Sequence, residues 1–152
     1  MPLRLASRIA RARPVAVGVV LAGLLALPSA AGAEADTLYD RIGGAPVMQR
    51  IALATLSRVA NDPAVNHSFA GINIDKLSVK LASHLCAVTG GGCPPSSDSL
   101  KVVHAGLDIR EGEFAAIVEA LRAACDANGV GEREKNELLR VLAPNKRDIV
   151  TR

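Results

Sequence analysis

The chain has 152 residues, 49% of them hydrophobic and 22% charged, which suits one globular domain and excludes intrinsic disorder. Its only aromatic side chains are Tyr39, Phe69 and Phe114, too few to stack nucleobases. The net charge of +3 belongs to one end: Arg4, Arg8, Arg11 and Arg13 precede residue 34 and no acid does. Beyond it, 14 basic side chains face 15 acidic ones, so no nucleic-acid surface is expected.

In chain order, the first element reads as a secretory signal. An arginine-bearing start leads into the uncharged run Val15–Leu27, then Pro28 and the small residues Ser29-Ala30-Ala31-Gly32-Ala33. Ala31-Gly32-Ala33 fits the small-x-small pattern of a signal-peptidase site, so cleavage after Ala33 is expected. A retained anchor is the alternative, but a membrane span needs about 20 apolar residues. No cysteine lies at the cut and the arginines are not adjacent, which favours the general secretory route without lipidation. Residues 34–152 then form one domain outside the cytoplasm, periplasmic or secreted, with no stable membrane span.

The rest reads as all-α. Gly43-Gly44 breaks the chain and Pro46 suits the first turn of a helix. Met48, Ala52, Leu56 and Val59 follow at helical spacing until Asn61-Asp62-Pro63. After a loop through Phe69-Ala70-Gly71, a second helix from Asp75 carries Leu77, Leu81, Leu85 and Val88 and ends at Gly90-Gly91-Gly92. Phe114, Ile117, Val118, Leu121 and Cys125 form a third apolar stripe, closed by Asn128-Gly129. A last helix presents Leu138, Val141 and Leu142, with Pro144 ending or bending it. No alternating strand pattern and no internal repeat is found.

Cys86 and Cys93 flank the triple glycine, seven residues apart. In an oxidising compartment that spacing invites a local disulfide. Zinc is a weaker reading, because no second Cys/His pair exists. Cys125, on an apolar stripe, is expected as a buried free thiol. The absence of C-x-x-C-H excludes covalent attachment of heme through cysteines. No P-loop, Rossmann fingerprint, H-E-x-x-H or G-x-S-x-G occurs, so no enzyme class is nominated. The histidines remain: His67 in a polar loop, expected to be solvated; His84 beside an apolar face; His104 on the core side of a short helical piece.

Four segments carry a family resemblance. Leu38-Tyr39-Asp40-Arg41-Ile42-Gly43-Gly44, Phe69-Ala70-Gly71-Ile72-Asn73, Val103-His104-Ala105-Gly106-Leu107-Asp108-Ile109, and Leu142-Ala143-Pro144 through Asp148-Ile149-Val150 resemble, in order, the segments of group I truncated hemoglobins. Cys86 and Cys93 are similar to those of an exported branch of that family. The resemblance implies a two-over-two helical sandwich and non-covalent heme b, iron protoporphyrin IX. It makes His104 the proximal iron ligand and Phe69 a heme-packing side chain. The expected partners are a diatomic gas, O2, NO or CO, and an electron donor that the sequence does not name.

The same resemblance marks a departure. The family usually places a tyrosine in its second helix and a glutamine in the next, and these positions fall on Leu56 and Leu81. The position nearest the ligand falls on Leu77. Without a hydrogen-bond donor, O2 is held more weakly, so nitric-oxide dioxygenase and peroxidase activities are discounted and binding rather than catalysis is expected. Thr55 or a water remains open as a substitute donor. Lys80 is expected to reach a heme propionate or, deprotonated, to become a sixth iron ligand. His84 is expected at the heme edge or, alternatively, on the iron. A second class is a heme-free helical structural or interaction domain descended from globins.

Overall fold

The computed structural model describes residues 36–152; the expected signal over residues 1–33 lies outside them. The described residues form helices and turns without a strand. The α-helices are α1 (Leu38–Ile42), α2 (Gly44–Ala60), α3 (Ile74–Val88), α4 (Leu100–Val103), α5 (Glu111–Ala127), α6 (Glu132–Leu142) and α7 (Lys146–Ile149). Two 3-10 turns, Asn66–Phe69 and Ala143–Asn145, lie before α3 and α7.

Local chemistry sets the starts. Thr37 and Asp40 cap α1 reciprocally, satisfying two N–H groups that the helix leaves unpaired. Gly43, at φ +115°, ends α1 and turns directly into α2, a backbone conformation that glycine takes without a Cβ penalty. Asn73 Oδ1 accepts from Lys76 N–H at 2.8 Å to start α3, and Glu113 reaches back to the Arg110 N–H at 2.9 Å to start α5.

α2 is the central helix, packed on α3 and on α5, while α1 packs on α2 and α6 and α4 packs on α7. With α6 against α5, this is the two-over-two sandwich that the resemblance implied. The stripe expected on α2 is buried throughout: Met48, Ala52, Leu56 and Val59, with Ile51 between them. On α6 the expectation holds for Leu138, which is fully buried, but not for Val141, which is 38% exposed. Val141 lies three residues beyond Leu138, only about 60° away around the helix, so its exposure follows from what α6 packs against and not from its place on the stripe.

The disulfide Cys86–Cys93 is formed, and Cys125 is a buried free thiol. The bridged loop does more than close on itself. Gly91 sits so close to Tyr39 and the Cys86 sulfur that a Cβ there would lie 2.7 Å from each. Tyr39 N–H also donates to the Thr89 carbonyl at 3.0 Å. The end of α3 is therefore clamped to α1.

Candidate functional site

His104 follows the single turn of α4, which Ser99 caps through Val102 N–H. The turn is too short to be held by its own hydrogen bonds, and its packing on α7 supports it. His104 is half-buried, and its Nδ1 lies 2.7 Å from the carbonyl oxygen of Leu100. A carbonyl only accepts, so Nδ1 carries the proton and donates. The lone pair of the neutral ring is then on Nε2, which has no hydrogen bond among the described residues. Val103 and Leu107, before and after His104 in the chain, are 50% and 45% exposed.

Leu56, Leu77, Leu81 and Phe69 are brought together in one apolar cluster from α2, α3 and the Asn66–Phe69 turn, backed by Ile117 of α5. Leu77 and Leu81 are only half-buried there, although Leu85, one turn further along α3, is fully buried. The nearby polar side chains are committed elsewhere. Thr55 donates its hydroxyl proton to Ile51 O at 2.7 Å. Ser78 donates to Asp75 O at 2.8 Å while accepting from Gln49 Nε2 at 2.9 Å. Thr55 is therefore not placed as the substitute donor weighed above.

Lys80 is exposed on α3 and makes no ion pair among the described residues. His84 is half-buried, and its Nε2 lies 3.0 Å from Asn145 Nδ2. Burial holds His84 below the ordinary imidazole value, and repulsion from His104 adds to the effect. The two rings thus share one electrostatic neighbourhood. His67 is exposed, as expected, but it has a partner: its Nε2 lies 3.1 Å from Glu113 Oε1.

Sequence reasoning marked residues 142–150 only as a segment of the family resemblance and gave Asn145 no role. Thr151 and Arg152 both donate backbone N–H groups to Ile109 O, at 2.9 and 3.2 Å. Lys146 Nζ donates to Glu111 Oε1 at 2.8 Å. Residues 143–152 therefore bind the loop that follows His104, a contact that neither periodicity nor the resemblance of that segment signals.

The donor set fits a macrocyclic iron group. A neutral imidazole offers one nitrogen, with its ring orientation fixed by a backbone carbonyl as in metal-ligating histidines generally. No group of three or more His, Cys, Asp or Glu side chains able to hold a bare metal ion occurs among the described residues. A metal at His104 would have to arrive with most of its ligands already in place, as iron in a porphyrin does.

A family model described as bacterial-like globin matches residues 37–151. The group 1 truncated hemoglobin GlbN of Mycolicibacterium paratuberculosis is 31% identical over 119 residues, which are 78% of this chain and 88% of that protein. The GlbN of Nostoc commune is 31% identical, covering 70% of this chain and 91% of its own length. Among solved structures, the Fe(III) truncated hemoglobin of Tetrahymena pyriformis superposes with a TM-score of 0.72 at 24% identity, covering 77% of this chain and all of that one. The hemoglobin of Chloroflexus aurantiacus does so with a TM-score of 0.66 at 23% identity, covering 78% of this chain and all of that one.

Proposed function

Because the chain belongs to the bacterial-like globin family, as a group 1 truncated hemoglobin, we propose that it binds heme b through His104 and reversibly takes up O2, NO or CO outside the cytoplasm. Family membership makes it a heme-binding globin and disfavours a heme-free helical domain. The observation that carries the finer reading is the 2.7 Å bond from His104 Nδ1 to Leu100 O, which leaves Nε2 as the nitrogen with a lone pair.

Heme held there by His104 would supply an iron centre able to bind a diatomic gas. The chain's own residues do the rest. Leu100 O fixes the tautomer and orientation of His104. Phe69, Leu77 and Leu81 offer apolar surface to a flat apolar group, and Leu56 closes the same cluster from α2. Such walls exclude water, which needs two or more polar partners to settle in a cavity. They also give a gas ligand no hydrogen bond, which favours binding and release over an oxygen-consuming reaction. Lys80, exposed on the same helix as Leu77 and Leu81, supports a contact with a propionate carboxylate. His84 belongs to the edge of the group.

Export rests on the apolar run Val15–Leu27 and the Ala31-Gly32-Ala33 pattern, with the disulfide Cys86–Cys93 in keeping with an oxidising compartment. No helix among the described residues is long and apolar enough to cross a membrane.

The test is spectroscopic titration of purified residues 34–152 with hemin. Wild type should bind one equivalent, and His104→Gly should lose that binding and recover it with added imidazole. Stoichiometric uptake by His104→Gly with an unchanged spectrum would overturn the assignment. Mass measurement of the exported protein should show cleavage after Ala33.

A further inference from the structure

We propose that Asn145 is a positioning residue that decides which of the two half-buried histidines keeps a lone pair for iron: it closes His84 and leaves His104 open. The proposal rests on the reading of His104 as the iron ligand.

A neutral imidazole has one N–H and one lone pair. At His104 the N–H is on Nδ1, facing the Leu100 carbonyl, and the lone pair on Nε2 is unused among the described residues. At His84 the polarity is reversed. Its Nε2 lies 3.0 Å from the amide nitrogen of Asn145, and an amide nitrogen only donates. The lone pair of Nε2 is therefore spent on Asn145, and the ring proton is on Nδ1. A half-buried ring has access to water for satisfying its polar atoms. The effect of Asn145 is thus to choose the tautomer and to engage the one nitrogen that would otherwise be free to ligate.

Asn145 is held in place independently of His84. It ends the Ala143–Asn145 turn and leads straight into α7, which packs on α4. Lys146 pairs with Glu111, Thr151 and Arg152 donate to Ile109 O, and Arg152 Nε lies 3.4 Å from Asp108 Oδ1. Asp108 itself is at φ +52°, in the left-handed region that asparagine and aspartate enter more readily than most residues. One short segment thus spans from the loop after His104 to the α3 side chain His84, 61 residues away from Asn145 in sequence. It holds one histidine by its backbone surroundings and the other by a side-chain latch.

The first arm uses the full chain without heme. Nitrogen-15 NMR of the histidine rings should show His84 protonated on Nδ1 with Nε2 accepting. Asn145→Ala should spread the His84 proton over both nitrogens and leave the His104 tautomer unmoved. A wild-type His84 carrying its proton on Nε2, or a His84 indifferent to Asn145→Ala, overturns the latch.

The second arm uses hemin-loaded protein in a Lys80→Ala background, which removes the competing amine. Asn145→Ala should raise the low-spin, six-coordinate fraction about 2- to 10-fold, the weight of one ordinary hydrogen bond. Adding His84→Ala should cancel the rise. Asn145→Asp should not produce it, because a carboxylate draws the proton onto Nε2 and leaves that nitrogen no lone pair. An equal rise with Asn145→Asp would show loosening rather than latching and overturn the proposal. Failure of the wild-type protein to take up hemin overturns the underlying heme reading, and that result appears before Lys80 or Asn145 is altered.

Discussion

Thr55 Oγ1 lies 2.7 Å from the carbonyl oxygen of Ile51, one turn back along α2, and its proton is committed there. Beside it Leu56 enters the cluster with Leu77, Leu81 and Phe69. The hydroxyl best placed by sequence to replace a missing tyrosine is therefore already in use. Thr55→Val should change the oxygen release rate by no more than about twofold, under 0.5 kcal/mol. Leu56→Tyr should slow it by about 10- to 150-fold, if the new hydroxyl gains a hydrogen bond of about 1.5–3 kcal/mol to the polarised ligand. Stopped-flow release from the three proteins decides this. A strong effect of Thr55→Val, or none of Leu56→Tyr, ends this account of the pocket.

The cysteines divide by environment. Thiol titration of unreduced protein, unfolded to expose every side chain, should find one free thiol, Cys125. In the native state it should react slowly, since burial pushes its thiol up to about 11. Gly91→Ala should destabilise by about 1–3 kcal/mol through overpacking, because its Cβ would meet the Cys86 sulfur and the Tyr39 ring at 2.7 Å. Reduction should lessen that penalty by freeing the sulfur to move. Denaturant unfolding with and without reductant makes the comparison, and an equal penalty in both states would contradict the clamp.

Glu113 should contribute to acid unfolding. Its carboxylate accepts from the Arg110 N–H at 2.9 Å and lies 3.2 Å from Ser68 Oγ and 3.1 Å from His67 Nε2. The Arg110 N–H is the main cause holding it below the ordinary value of 4.5, followed by the Ser68 hydroxyl and the His67 charge. The folded value is thus lower than the unfolded one. The stability it adds is present above pH 4.5 and is lost as pH falls toward the lower folded value. Glu113→Gln should therefore be less stable at neutral pH and show a flatter decline of Tm between about pH 5 and pH 3. Parallel Tm curves for the two proteins would refute it.

Leu138 and Val141 sit on one helix with opposite fates. Leu138 is fully buried and Val141 is 38% exposed. Leu138→Ala should cost about 2–5 kcal/mol, whereas Val141→Ala should stay within about 0.5 kcal/mol. Chemical denaturation of each distinguishes them, and comparable losses would mean that Val141 is covered in solution.

The sequence by itself determined the helical order. Apolar periodicity, Asn61-Asp62-Pro63, the triple glycine and Pro144 act within a few residues of where they stand, so α2, α3, α5 and α6 were legible from them. The disulfide was legible for the same reason, its partners being seven residues apart. His104 stood out through a short segment resembling a known family, not through its own spacing. Tertiary structure alone decided the rest. Val141 fits the stripe of α6, yet its exposure depends on what α6 packs against. Both His84 and His104 lie beside apolar residues, and nothing local says which nitrogen of either ring carries the proton. That follows from a carbonyl four residues away in one case and an amide 61 residues away in the other. A hydrogen bond across such a separation is set by how the helices pack, and no local pattern in the chain records it.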